Sequence, residues 1–187
     1  MAALLSIVRS AAFAATFIVA SAFLAPAATA QSASLAIHAT GTIPSACSIA
    51  VASGFPGNIN FASPGSAPAT ATVNCSQAFK LNAQSANGGV TTPAVSAGFA
   101  SSLDYALNLD VALDSAADVS ASCNASTLTA GMAGCALSPA GAGLSSGGKT
   151  ATNKTATLTI SWTPPTSPRL VAGNYSDTIT LSIAAAQ

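Results

Sequence analysis

Residues 103–114 read LDYALNLDVALD, and apolar side chains occupy every second position of this stretch. Successive side chains of a β-strand point to opposite faces of its sheet, so the alternation predicts a strand with one buried and one solvated face. Antiparallel sheets commonly contain such strands. The predicted buried face holds Leu103, Tyr105, Leu107, Leu109, Val111 and Leu113. The predicted solvated face holds Asp104, Asn108, Asp110 and Asp114.

Shorter runs with the same period lie on both sides of this strand. The predicted strands contain residues 47–51, 59–61, 71–75, 79–83, 156–162 and 175–183. Turn sequences rich in Gly, Pro and Asn separate these runs, and no long helical period interrupts them. Residues 136–152, which are rich in Gly and Ser, are predicted to form an exposed, mobile loop. The pattern predicts an all-β, immunoglobulin-like β-sandwich.

The N-terminus predicts a secretory signal peptide. Arg9 is followed by an apolar run of about 15 residues and by an A-x-A cleavage site that ends at Ala30. The alternative is an uncleaved membrane anchor, which needs about 20 apolar residues, but this run is shorter and rich in alanine. The predicted organisation is a signal peptide (1–30) cleaved near Ala30, an N-terminal segment (31–43) and one domain (44–187).

Charged residues make up 5% of the chain and include no glutamate, whereas an ordinary globular domain contains about 25%. Removal of the signal peptide leaves four basic residues and five aspartates. Binding to nucleic acid or to an anionic membrane requires clustered Lys and Arg, so neither partner is expected. A surface with so few charges suits a protein that packs against copies of itself.

Four cysteines follow the cleavage site, which predicts two disulfides in an oxidising compartment. Three pairings are possible. We favour Cys47 with Cys75 and Cys123 with Cys135, because each pair joins neighbours in sequence that lie beside predicted strands or at the base of a loop. A zinc site is not expected, because the sequence contains no C-x-x-C motif and a single histidine.

The sequence provides little for catalysis, and we expect neither an enzyme nor a cofactor. The single histidine, His38, lies within a predicted strand, where a solvent-facing role is favoured over that of a catalytic base. The aspartates of residues 103–114 occupy the solvated face of a regular strand. Asp177 instead lies in register with apolar neighbours, so we expect backbone N–H groups or a hydroxyl to satisfy its carboxylate on the buried face.

The segment SASLAIHATGTI, residues 32–43, also alternates, but no nearby turn supplies it with a hairpin partner. Its apolar or small side chains recur at Ala33, Leu35, Ile37, Ala39 and Gly41. The segment is either the first strand of its own domain or a strand that completes the sheet of another molecule. Periodicity alone does not distinguish the two.

Three features together resemble the spore coat protein U domain family, which includes the subunits of Csu-type chaperone–usher pili. An alternating N-terminal segment precedes Cys47, a second cysteine follows at Cys75, and the chain closes with GNYSDTITLSI. The most specific part is this closing motif, in which Gly173, Tyr175, Asp177 and Thr178 are similar to the terminal strand of the family. The resemblance also matches Cys47 and Cys75 to the first disulfide of the family.

The resemblance implies an incomplete sandwich that lacks its seventh strand. Residues 31–43 would then be a donor strand that fills the groove of a neighbouring subunit of the same or another kind. A periplasmic chaperone would hold the groove before assembly, and an outer-membrane usher would catalyse the exchange at the cell surface. The implied function is a pilus subunit in adhesion and biofilm formation, and the alternative is a secreted, monomeric carbohydrate-binding or coat module.

Overall fold

The computed structural model describes residues 46–186, which form ten β-strands and one short 3₁₀ helix, Ala125–Leu128. The ladders between the strands are all antiparallel, which confirms the predicted all-β class. The predicted signal peptide (1–30) and N-terminal segment (31–43) lie outside the described residues. The strands are β1 (Cys47–Ser53), β2 (Gly65–Cys75), β3 (Phe79–Ser85), β4 (Val90–Thr91), β5 (Ser102–Leu103), β6 (Ala106–Val111), β7 (Val119–Asn124), β8 (Leu144–Ser145), β9 (Ala151–Trp162) and β10 (Ile179–Ala185).

Two main sheets contribute side chains to one hydrophobic core. The larger sheet has five strands in the order β1-β2-β9-β6-β7, and the smaller has three in the order β10-β3-β8. Strands β4 and β5 form a separate pair. Alternate residues of β2, β6 and β9 meet those of β3, so that Val73, Leu109 and Leu81 belong to the same buried cluster.

The alternating stretch 103–114 buries the face that its pattern predicts. All six of its predicted core residues are buried. The stretch is nevertheless divided between β5 and β6, because the carboxylate of Asp104 accepts hydrogen bonds from the backbone N–H groups of Tyr105 and Ser126 at 2.9 and 3.2 Å. Asp104 thus holds the chain at the point where it leaves the ladder with β4 and enters the ladders with β7 and β9.

Two sequence predictions are wrong. Residues 59–61 form no strand; Ile59 and Phe61 lie in the connection between β1 and β2, where both are partly buried. Residues 136–152 are not simply an exposed loop, because Leu137 and Ser138 are fully buried and the segment contains β8 and the start of β9. The few apolar residues of this Gly/Ser-rich stretch fill the core without any regular period.

Both disulfides join the cysteines as predicted. Cys47 and Cys75 face each other at the end of the ladder between β1 and β2, so their bond lies within one sheet. The bond between Cys123 and Cys135 ties the end of β7 to the segment that precedes β8. These bonds fit an oxidising compartment. Among residues 46–186, no helix is long and apolar enough to cross a membrane.

Candidate functional site

Strand β10 is an edge strand whose core-facing side chains are incompletely covered. Its ladder with β3 pairs Leu181 with Ala83 and Ile183 with Leu81, so these side chains share one face of the sheet. Ala83 and Leu81 are fully buried, whereas Leu181 and Ile183 are only partly buried. The side chains of β10 therefore face the core from a position where a further neighbour would complete their burial.

Strand β1, at the edge of the larger sheet, has the same property. Ile49 pairs with Val73, and Val51 pairs with Ala71. Both partners on β2 are buried, but Ile49 is only partly buried and the side chain of Val51 is 82% exposed. An apolar residue on the core face of a sheet is normally covered, so the exposure of Val51 marks a break in the layer that faces it.

Strands β1 and β10 lie side by side without pairing. Their Cα atoms approach within 8 Å, but no ladder joins them. Within residues 46–186, each therefore has one edge without a partner strand, and an edge of this kind is a template for a further strand. We call the space between them, with Ile49, Val51, Ile179, Leu181 and Ile183 along it, the β1–β10 groove.

A cleft of about 960 Å³ continues the groove beyond the start of β10. One wall is residues 55–62, which follow β1, and the other is residues 170–179, which lead into β10. Because the end of β1 thus lies near the start of β10, the two strands run in opposite directions. The apolar lining includes Phe55, Ile59, Phe61, Leu170 and Tyr175.

Aromatic packing and hydrogen bonds fix the walls of this cleft. The ring of Phe61 lies edge-on to Trp162, with centroids 5.0 Å apart, and 6.3 Å from the ring of Tyr175. The Tyr175 hydroxyl donates toward the carbonyl oxygens of Val171 and Ala100, at 2.9 and 3.2 Å. These contacts hold the rings of Phe61 and Tyr175 in place along the cleft.

Asp177 lies where the cleft meets the start of β10, and its carboxylate accepts four hydrogen bonds. Its Oδ2 accepts hydrogen bonds from Ser85 Oγ and Tyr105 Oη, both at 2.6 Å. Its Oδ1 accepts the backbone N–H groups of Asn87 and Thr178 at 3.1 and 2.8 Å. The expectation that hydroxyl or backbone donors satisfy this carboxylate is confirmed.

The environment of Tyr105 keeps its phenol protonated. Burial is the main cause that raises the pKa of Tyr105 above its ordinary value of 10.0, and the hydrogen bond to Asp177 adds to it. Deprotonation would place two negative charges in contact within a buried site. Tyr105 therefore acts as a permanent donor to Asp177, which suits a structural joint and not acid–base chemistry.

The residues of the closing motif lie together at this junction. Tyr175 and Asp177 both line the cleft, and the backbone of Thr178 bonds to the Asp177 carboxylate and to Ala86. Gly173 is required for close approach, because a Cβ atom there would lie 2.6 Å from Thr92 Oγ1. The donor residues Ala33, Leu35, Ile37, Ala39 and Gly41, and also His38, lie outside the described residues.

Two of the other aspartates, Asp104 and Asp114, have structural partners. Asp104 accepts a hydrogen bond from Ser126 Oγ at 2.8 Å. Asp114 accepts from Thr150 Oγ1 at 2.7 Å and from the backbone N–H of Thr152, and Lys154 Nζ lies 3.6 Å away. Within residues 46–186, no group of three or more His, Cys, Asp or Glu side chains could hold a metal ion.

The sequence did not reveal the walls of the cleft. Phe55 and Leu170 stand singly among turn residues, and the pair Ile59 and Phe61 suggested a strand and not a cleft wall. A comparison of the chain with protein-family models, curated proteins and solved structures gives no match.

Proposed function

We propose that this protein is a structural subunit of a chaperone–usher surface fibre, which polymerises by donor-strand exchange and supports adhesion and biofilm formation. Its partners would be neighbouring subunits, a periplasmic chaperone and an outer-membrane usher. The observation that carries this proposal is the β1–β10 groove, where two edge strands have unpaired edges and incompletely covered apolar faces. Neighbouring strands lie about 4.8 Å apart, so β1 and β10, which approach within 8 Å, would move apart to admit a donor strand beside β10.

The order of the strands supports an immunoglobulin-like sandwich with one strand missing. The immunoglobulin fold has strands A, B, E and D in one sheet and C, F and G in the other. Here β1-β2-β9-β6 follows the order A-B-E-D, and the pair of β3 and β10 corresponds to C and F. The position of G is beside β10 in the groove, and no strand of residues 46–186 lies there.

The side chains along the groove and the adjoining cleft support an uncharged donor with alternating apolar residues. Asp177 is the single charged residue of the cleft lining, and both of its oxygens already accept hydrogen bonds. Residues 31–43 carry no Lys, Arg, Asp or Glu. Burial of Leu35 and Ile37 would contribute about 1.5–3 kcal/mol each, and each backbone hydrogen bond about 1 kcal/mol. Ile43 is expected to stay with the sheet of its own subunit.

Substitutions on the two faces of β10 test this function. Leu181→Lys would place a charge in the groove, whereas Ser182→Lys would place the same charge on the exposed opposite face of the same strand. Strand-exchanged polymers resist detergent until they are boiled. We therefore expect the native chain and Ser182→Lys to give a ladder on an unheated denaturing gel, and Leu181→Lys to give monomer.

Two outcomes of the gel assay would contradict this function. A ladder from Leu181→Lys, in protein that circular dichroism finds folded, would contradict strand addition at β10. A single band from the native chain, unheated as well as boiled, would contradict polymerisation itself.

A secreted, monomeric carbohydrate-binding module is the second candidate. The cleft supports it by combining aromatic rings, from Phe55, Phe61 and Tyr175, with the amide side chains of Asn58 and Asn174. Such a combination can stack on a sugar ring and bond to its hydroxyls. A module of this kind would run as one band in the gel assay and would bind soluble glycans in calorimetry.

A further inference from the structure

The three-stranded sheet has two outer sides, and only one of them is covered by another part of the chain. The edge at β10 borders the groove, whereas the far side of β3 is covered by residues 129–146, which we call the guard loop. Successive backbone groups of β3 point to opposite sides. Those of Phe79, Leu81 and Ala83 point away from β10 and toward the guard loop.

The guard loop satisfies β3 along this side. The Ala83 N–H donates to the carbonyl oxygen of Leu137 at 2.8 Å. The Phe79 carbonyl accepts the N–H of Ser146 at 3.0 Å, and the Phe79 N–H donates to Ser146 Oγ at 3.0 Å. Leu81 pairs with Leu144 in the ladder with β8. An added strand would have to displace these contacts.

Side chains and a disulfide hold the guard loop in place. Leu137 is fully buried, and Ser138 Oγ accepts the Cys135 N–H at 3.0 Å while donating to the Thr127 carbonyl at 2.7 Å. The bond from Cys135 to Cys123 ties the loop to β7 in the other sheet. The first disulfide lies within one sheet and leaves the β1–β10 side open.

A glycine lets the loop approach β3 closely. Gly143 has φ +79°, which L-residues rarely adopt, and a Cβ atom there would lie 3.1 Å from Lys80 Cβ. Gly98 also has positive φ, at +81°, but it lies outside the guard loop and open space surrounds its Cβ position. The two glycines therefore provide a matched pair of positions, of which only one is packed against β3.

We propose that the guard loop, clamped by the Cys123–Cys135 bond, makes strand addition specific for the β10 edge by occupying the β3 edge of the same sheet. The inference rests on the proposed function, because it concerns which edge accepts the donor. An unguarded β3 edge would offer a second site for a strand and would permit branching.

Hydrogen exchange of the native chain and two variants tests the state of this edge. Cys123→Ser with Cys135→Ser removes the clamp, and Gly143→Val strains the loop with the disulfide intact. In each variant we expect the amides of Phe79, Leu81 and Ala83 to exchange at least tenfold faster than in the native chain. The amides of Lys80, Asn82 and Gln84, on the side facing β10, should keep their protection. Gly98→Val is the control, because it introduces the same residue at a similar positive φ outside the guard loop, and it should leave all six unchanged.

Titration with a synthetic peptide of residues 31–43 then measures the number of acceptor sites, in chains that lack residues 31–41 and therefore cannot fill the grooves of their neighbours. In this background we expect the chain without further substitution and Gly98→Val to bind one peptide, and the two loosened variants to bind two. The inference is overturned if the three amides stay protected in both variants, or if the variants bind one peptide as the unsubstituted chain does. Failure of the unsubstituted chain to bind any peptide would instead refute the proposed function, so the two failures are distinguishable.

Discussion

At the scale of single residues, Asp177 is the joint on which the groove depends. Four donors converge on its carboxylate from three parts of the chain, and two of them belong to the buried residues Ser85 and Tyr105. Ser85 Oγ in turn accepts the Gly88 N–H at 2.8 Å. One side chain thus fixes the turn after β3 against the start of β10.

Asp177→Ala should destabilise the fold by about 2–5 kcal/mol, because it leaves the hydroxyls of two buried residues and two backbone N–H groups without this acceptor. Urea denaturation of the folded variant measures this loss. Asp118→Ala is the matched control, since Asp118 is exposed and has no side-chain hydrogen bond within residues 46–186. It should change stability by less than about 0.5 kcal/mol. Equal effects of the two substitutions would refute the role of Asp177.

Asp114 should make stability depend on pH. The hydrogen bond from Thr150, followed by that from the Thr152 backbone, lowers the pKa of Asp114 below its ordinary value of 3.8 in the folded chain. A lowered folded pKa means that the carboxylate stabilises the protein above the unfolded pKa, and that this contribution is lost as the pH falls through the folded pKa.

Comparison of the native chain with Asp114→Asn tests this sign. The native chain should be the more stable at pH 6, and the difference between the urea midpoints should shrink as the pH falls below about 4. A difference that stays constant from pH 6 to pH 2 would show that the ionised carboxylate is not responsible.

The environment of Asp177 was only partly predictable. Its register with Tyr175 and Ile179 predicted a carboxylate on the inner face, satisfied by hydroxyl or backbone donors, and this is what the structure contains. Its partners Ser85 and Tyr105 lie 92 and 72 residues away in sequence. Local periodicity carries no information about such distant contacts.

At the scale of the elements, the edges of the sheets differ in whether other parts of the chain cover or secure them. The guard loop occupies one side of β3, and the Cys47–Cys75 bond secures β1 to β2. Strand β10 keeps an edge beside the groove. A donor strand at this edge would join backbone pairing to side-chain burial, as in other cases of strand addition.

A peptide of residues 31–43 should stabilise a variant that lacks residues 31–41. A ligand at one hundred times its Kd adds about 2.7 kcal/mol to the stability of the state it binds. For a domain of this size the melting temperature should rise by about 5–10 °C, which scanning calorimetry would detect. The control peptide carries lysine in place of Leu35 and Ile37. An equal rise with both peptides, or no rise with either, would refute the donor assignment.

Strict alternation identified the central strands, and irregular segments were misread. β2, β3, β6 and residues 156–162 of β9 bury alternate residues, so their period of two is visible in the sequence. Leu137 and Ser138 are adjacent buried residues in irregular backbone, so no period reveals them. Ile59 and Phe61 alternate because they line the cleft, which imitates a short strand. β7 was missed because small and polar residues dominate it.

At the scale of the whole molecule, the open groove and the nearly uncharged chain have the same consequence, because both favour association between copies. With 5% charged residues, the protein has little electrostatic repulsion to keep unassembled copies apart. An uncovered apolar groove adds a risk of aggregation. Both features suit a subunit that a chaperone holds until it joins a fibre, where neighbours cover its surface.

The most direct test of donor-strand exchange is solid-state NMR of fibres assembled from two pools of subunits, one labelled with ¹³C and the other with ¹⁵N. Donor-strand exchange predicts contacts between the two labels that join residues 31–43 of one subunit to Ile179–Ala185 of another. Contacts of residues 31–43 confined to their own chain would contradict it.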